Sequence, residues 1–207
     1  MKINTLYLGP CITNCYIVSN ESRCVVIDPA GDADKIISHI NKYSLSLDAI
    51  LLTHGHFDHI YAIPQLLSEY GKDMPVYIHR DDVPYLCDVN LNLSLPLFGV
   101  DFTCTANTIS VQNNSVINAA DLTFTVAHTP GHTPGSVCYI CENTIFSGDT
   151  LFASTVGRTD FPGGDFPTLL KSLTFFKSIK GNYDIYPGHN ASTSLERELK
   201  YNEYLQM

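Results

Sequence analysis

Short apolar runs punctuated by Gly, Pro, Asn and Asp organise the chain. Three strand-like runs open it, over residues 3–8, 15–19 and 24–28; the first alternates in polarity and ends at Gly9-Pro10. A helix is predicted from Asp32, a residue able to cap it, to about residue 43. The short apolar run 49–53 leads into a His-rich loop, and that loop opens a second helix over about 60–70. Residues 76–79 read as another strand, and residues 81–100, with several Pro and Leu, as irregular with one short helix. The second half is again rich in strands, at 108–110, 115–117, 122–127, 136–140 and 144–147. After the segment VGRTDFPGGDFP come a helix over 167–179, a strand at 184–186 and a last helix over 194–204. Strands and helices thus alternate twice in the same sense. That order predicts two similar halves, each a sheet with helices on one side. Pairing their bare faces gives an α/β fold of four layers, an αββα sandwich. No linker or low-complexity stretch interrupts the order, so residues 1–207 are read as a single domain.

Composition narrows the function classes. A chain 44% hydrophobic and 16% charged suits an ordinary packed core. No apolar run is long enough for a transmembrane helix. The opening MKINTLYLGP lacks the basic flank and apolar centre of a signal peptide, so a cytoplasmic protein without membrane association is expected. The net charge of −9, with twelve scattered basic residues, argues against nucleic acid as a partner. Seven Cys, an odd number spread along the chain, do not make a disulfide framework. Cys138-x-x-Cys141 lies in the strand-like SVCYICENTIF with no helix after it, and is read as a pair of buried thiols.

The chemistry gathers in four motifs. Thr53-His54-Gly55-His56-Phe57-Asp58-His59 offers four metal-type ligands directly after an apolar strand. Alternate residues of an extended loop point the same way, so His54 and His56 can share one ion. Asp58 and His59 sit where the chain turns into a helix and can face a second. By chance, such a motif would arise in about one comparable chain in a thousand. His132 lies in TPGHTPGS, Asp149 in SGDT and His189 in YPGH. Each follows the same design: an apolar strand anchors the chain, and a Gly-containing loop presents a ligand at its C-terminal end, where open α/β sheets place their sites. Three His and a carboxylate suit one borderline metal, and two His with two carboxylates suit a neighbour if Asp149 is shared.

These residues together resemble the metallo-β-lactamase superfamily, and Asn14-Cys15-Tyr16 and the turn Ile27-Asp28-Pro29-Ala30-Gly31 resemble its opening strands. The likeness spans about residues 3–190. It implies the αββα fold, with His54, His56 and His132 on one divalent ion, Asp58, His59 and His189 on a second, and Asp149 bridging. Zinc is the first expectation; iron and manganese tolerate the same donors. The resemblance implies a hydrolase in which two close ions bring the pKa of a water near 7. The hydroxide then attacks a carbonyl, with Asp58 as the catalytic residue that orients it.

Within the superfamily the chain is most similar to glyoxalase II, hydroxyacylglutathione hydrolase, in its short forms. The implied partner is a small acyl thioester, S-lactoylglutathione or a relative. Arg158 and Phe161, in VGRTDFPGG, are the expected substrate contacts, because glyoxalase II holds the glutathione carboxylate with a basic residue here. A competing reading pairs Arg158 with Asp160 or Asp165; Phe161 and Phe166 either wall the pocket or pack in the core. Full-length glyoxalase II carries a C-terminal helical domain. Only 207 − 189 = 18 residues follow His189 here, so no such domain is expected and the thioester need not carry glutathione. The loop GRTDF equally resembles persulfide dioxygenases, which use a single iron; metal count separates the two. A lactonase, a β-lactamase or a non-catalytic metal-binding protein complete the alternatives. His39 is read as solvated and His79 as structural. His128 is read as a support to the site through a ligand or a backbone carbonyl.

Overall fold

A computed structural model of the chain describes residues 1–207. The first half builds one six-stranded sheet whose strand order is the sequence order. β1 (Lys2–Leu8), β2 (Thr13–Asn20) and β3 (Arg23–Ile27) pair antiparallel; β4 (Ser46–Leu51), β5 (Pro75–His79) and β6 (Asn107–Val111) continue in parallel. Parallel steps need crossovers. α1 (Ala33–Lys42) joins β3 to β4, and α2 (Phe57–Ile60) with α3 (Ile63–Tyr70) joins β4 to β5. A 3₁₀ helix (Arg80–Cys87) and α4 (Ser94–Phe98) lie between β5 and β6.

The second half builds a matching sheet. β7 (Val116–Ala119), β8 (Leu122–His128), β9 (Val137–Cys141) and β10 (Thr144–Gly148) form a meander. A small ribbon, β11 (Leu151–Phe152) with β12 (Thr155–Val156), then leads to α5 (Phe166–Ser172) and α6 (Thr174–Ser178). β13 (Asp184–Pro187) returns parallel to β10, with β14 (Thr193–Ser194) at its edge, and α7 (Leu195–Tyr201) and α8 (Glu203–Gln206) close the chain.

Side-chain alternation along the strands sorts the apolar residues into layers. Tyr16, Val18, Val25, Ile27 and Leu51 face Phe124, Val126, Val137, Tyr139 and Phe146 across the gap between the sheets. Their chain neighbours Ile17, Val26 and Ile50 face the other way, onto Ile36 and Ile40 of α1 and Ile63 and Leu66 of α3. Cys138, Ile145 and Ile185 pack under Leu173, Phe176, Leu195 and Leu205. The result is the four-layer αββα sandwich.

The helices depart from the sequence expectation where tertiary hydrogen bonds override local signals. Asp32 does not cap α1 through its side chain. It sits in the left-handed region (φ 46°), and its carboxylate instead accepts from the Gly9 N–H at 3.2 Å and pairs with Lys35. The expected helix 60–70 begins earlier and is split, because the Ala62 N–H turns away to the Pro29 carbonyl (2.9 Å). The final helix breaks at Asn202, whose amide donates to the Thr155 carbonyl (3.1 Å) and to Glu198 (2.9 Å). The stretch 167–179 divides at Leu173, where the Phe176 N–H bonds a carbonyl only three residues back. Residues 81–100 are more regular than expected. Buried Asn92 organises them by donating to the carbonyls of Tyr85 (2.9 Å) and Phe102 (3.0 Å).

Phe124 is fully buried between the sheets and far in sequence from the His-rich loops. Phe124→Ala is expected to lower the unfolding free energy in urea by about 3–5 kcal/mol, and a loss below about 1 kcal/mol would remove this side chain from the inter-sheet core.

Candidate metal centre

The C-terminal ends of β4, β8, β10 and β13 point to one edge of the sandwich, and the loops that leave them carry His54 and His56, then His132, Asp149 and His189. Asp58 and His59 are added by the first turn of α2. The seven residues converge. Ligand atoms of His54, His56 and His132 form one group, those of His54, His59 and Asp149 another, and those of Asp58, His59 and His189 a third, each within 4.8 Å. His56 Nδ1 lies 2.9 Å from His132 Nε2. His189 Nε2 lies 3.2 Å from Asp58 Oδ2 and 3.5 Å from Asp149 Oδ2. Asp149 sits between the groups, with Oδ1 3.6 Å from His59 Nε2 and Oδ2 3.6 Å from His132 Nε2. The backbone is cut to fit. A Cβ on Gly188 would collide with Asp149 Oδ1 and His59, and Gly148, at φ +49°, leaves no room for a Cβ against the Thr53 side chain.

Divalent ions suit this donor set. Nε2 of His54, Nε2 of His56 and Oδ1 of Asp149 are buried without a hydrogen-bond partner, a state polar atoms rarely tolerate. Five imidazoles and two carboxylates in the arrangement above give His54 Nε2 and Asp149 Oδ1 a purpose as ligands, while His56 turns Nδ1 toward the cluster, 2.9 Å from His132 Nε2.

The outward sides of three of the rings are fixed from behind. Asp28, at the end of β3, is 1% exposed and accepts from the Thr53 N–H (2.8 Å), the Thr53 hydroxyl (2.6 Å) and His59 Nδ1 (2.9 Å). The Thr53 oxygen in turn lies 3.1 Å from His54 Nδ1. His132 Nδ1 donates to the Arg158 carbonyl at 2.7 Å. In His54, His59 and His132 the proton is thereby drawn to Nδ1, which leaves Nε2 with its lone pair facing the cluster. Asn14 and Tyr16 of β2 hold the His189 loop through the Pro187 carbonyl. Asp82 joins two of the loops: it accepts from the Gly55 N–H (2.9 Å), the Thr133 hydroxyl (2.7 Å) and the Gly135 N–H (2.7 Å). Burial pushes its carboxyl up to about 6 against those donors.

Electrostatics divides the histidines. Burial, reinforced by neighbouring rings, pushes His54 and His56 well below the usual imidazole value, and burial lowers His132 too. Neutral rings keep the lone pair that a metal takes. His59 is pushed up to about 10: burial opposes its charge, but Asp58, Asp28 and Asp149 outweigh burial. His189 is raised in the same way, with burial overcome by Asp58 and Asp149. Burial also opposes the Asp58 charge, yet His59 and His189 hold that carboxyl well below the ordinary range. Protons on His59 and His189 and a divalent ion are alternative sources of positive charge for the same carboxylates.

The cluster opens into a cavity of about 550 Å³. Arg158 and Phe161 line it, but the guanidinium is already bound to Asp160 through two contacts (2.7 and 2.6 Å) and lies 3.9 Å over the Phe161 ring. The Asp160 pairing is therefore the reading of Arg158 that the geometry favours. Phe161 meets His56 edge-on at 5.9 Å, whereas Phe166 packs on Tyr204 away from the cavity. His128 bonds the Pro134 carbonyl (2.9 Å) and stacks on buried His79 at 4.0 Å, bracing the His132 loop. His39 is half-buried. Cys138 and Cys141 are buried free thiols. Sequence reasoning gave no role to Asp28, Thr13, Asp82 or Cys11. Asp28 carried a signal, since it ends the apolar run CVVID before Pro-Ala-Gly as the candidate ligands do. Asp82 carried none.

Asp82→Ala strands three buried donors. It is expected to cost about 3 kcal/mol of unfolding free energy and to lower the metal retained after gel filtration, measured by elemental analysis. Wild-type stability with wild-type metal content would mean that the two loops are not clamped here.

The metallo-beta-lactamase superfamily model matches residues 8–189 of the chain. The chain is 32% identical to the hydroxyacylglutathione hydrolase GloC of Haemophilus influenzae, over 93% of this chain and 92% of that one. Among solved structures it resembles the BLEG-1 B3 metallo-beta-lactamase (TM-score 0.92, 36% identity, all of both chains). It also resembles TTHA1623 in a di-iron-bound form (TM-score 0.87, 33% identity, 98% of this chain and all of that one). With its fold, its cluster of His and Asp and these matches in agreement, the chain belongs to the metallo-beta-lactamase superfamily.

Proposed function

We propose that the protein is a two-metal hydrolase of small acyl thioesters. One observation carries this reading: five imidazoles and two carboxylates from loops of both sheets meet at the floor of a cavity, with Nε2 of His54 and Oδ1 of Asp149 buried and free of hydrogen-bond partners. His54, His56 and His132 would hold one ion, Asp58, His59 and His189 the other, and Asp149 both. Zinc suits these donors first, and iron or manganese also fit; the similar TTHA1623 has been described with two irons. When bound, such ions polarise a carbonyl and make water a nucleophile at neutral pH.

The reaction adds water across the C–S bond. The C–S bond breaks and a C–O bond forms, one water proton ends on the departing sulfur, and the acid leaves as a carboxylate and a proton. Asp58 lines the cavity, and its Oδ2 is steadied by the Thr13 hydroxyl (2.9 Å) and by His189. A carboxylate fixed in this way can accept a hydrogen bond from the attacking water and orient it. No side chain is poised to attack in its place. The one thiol in the cavity, Cys11, is pushed up to about 11 by burial and by the nearby Asp58, and stays protonated at neutral pH. Thioesters are favoured over other acyl substrates by the similarity to a hydroxyacylglutathione hydrolase along nearly the whole chain.

The test joins elemental analysis to thioester hydrolysis with S-lactoylglutathione and simpler acyl thioesters. Two ions per chain and thioester cleavage are expected. One iron per chain, with oxygen consumed on glutathione persulfide, would replace this reading by a persulfide dioxygenase. His54→Ala and Asp149→Ala are each expected to lower kcat/KM by about a hundredfold or more while the circular dichroism spectrum is kept. Full activity in either folded variant would remove the cluster from the chemistry.

A further inference from the structure

Away from the cluster of His and Asp, most of the cavity wall is apolar, with Thr155, Arg158 and Asn190 as its polar members. Leu93, Leu97 and Phe98 come from the α4 segment, and Phe152, Val156 and Phe161 from the segment after β10. Leu97 is 53% exposed although it lines the cavity, so folding leaves its apolar surface in water. Apolar surface beside a concave site, with few polar groups to fix orientation, is the ordinary make-up of a pocket for an apolar ligand.

Charge points the same way. Arg158 is the only Lys or Arg that lines the cavity. Asp160 binds its Nε and one terminal nitrogen side by side, and Phe161 covers one face of its guanidinium. The guanidinium that would meet a glutathione carboxylate is thus engaged within its own loop. A hydrocarbon chain needs only the wall that is present.

Resting on the thioester reading above, we propose that the pocket selects its substrate by an apolar acyl chain. The chain lies along Leu93, Leu97 and Phe98, and the thiol portion need not be anionic. The cavity is continuous from these side chains to Asp58, His132 and Asp149, so a chain seated on the leucines keeps its carbonyl beside the candidate ligands. Each fully buried methylene is worth about 0.8 kcal/mol, or about fourfold. Binding energy gained there raises kcat/KM when it is retained in the transition state.

The zinc-loaded protein is tested with acetyl, butanoyl, hexanoyl and octanoyl thioesters of N-acetylcysteamine, an uncharged thiol, beside S-lactoylglutathione. The expected result is a rise in kcat/KM of about tenfold or more from acetyl to hexanoyl, with hexanoyl preferred over S-lactoylglutathione. Leu97→Asp, at an exposed position, is expected to cut the hexanoyl-to-acetyl ratio about fivefold or more. A flat series, or S-lactoylglutathione preferred over every simple thioester, overturns the proposal and leaves thioester hydrolysis standing. If no thioester is cleaved, the hydrolase reading fails, and calorimetric titration with acetate, hexanoate and octanoate decides the pocket alone. Affinity that climbs with chain length and falls in Leu97→Asp supports an apolar acyl site, and equal affinities overturn it.

Discussion

An imidazole keeps a lone pair aimed at an ion best when its other nitrogen and the loop that carries it are satisfied from behind. Much of this structure serves that constraint. Asp28 takes the outward nitrogen of His59 and, through Thr53, steadies His54. The Arg158 carbonyl takes the outward nitrogen of His132. Asp82 binds two backbone amides and a hydroxyl from loops that come from different sheets. Both Asp28 and Asp82 are buried, so each is costly unless all its bonds are made. The loops are therefore held in one arrangement or not at all, which is the rigidity that a multidentate ion site requires.

The αββα architecture was legible in the sequence because alternating apolar runs and loop punctuation are local signals. The seven candidate residues were legible for a related reason: each follows a strand that fixes where the next few residues go. What escaped depends on partners far along the chain. Asp28 and His59 are 31 residues apart, and nothing around Asp28 announces which ring it meets. Asp82 lies in a 3₁₀ helix among residues with no periodicity. The breaks before Ile63 and at Asn202 come from bonds to Pro29 and Thr155, which no helix propensity contains. Arg158 illustrates the opposite case. Its resemblance suggested a ligand's carboxylate, while a partner two residues away takes the guanidinium.

The cavity divides its labour by origin. Its polar floor comes from strand ends, where position is set by sheet hydrogen bonds. Its apolar wall comes from α4 and from the segment between β10 and α5, outside both main sheets. Packing constrains those segments less than the strands, and loops on a rigid scaffold are where related proteins diverge in what they accept.

The floor is also split between the sheets. His54, His56, Asp58 and His59 follow β4 of the first sheet, whereas His132, Asp149 and His189 follow strands of the second. Each group of ligand atoms draws on both halves. The fit of a bound ion would be set by how the two sheets sit on their shared interior, because each group of ligands straddles the seam between them. A repacked valine deep between the sheets could then retune reactivity at the edge without touching a ligand, and bound metal would act as a rivet that makes the halves melt together.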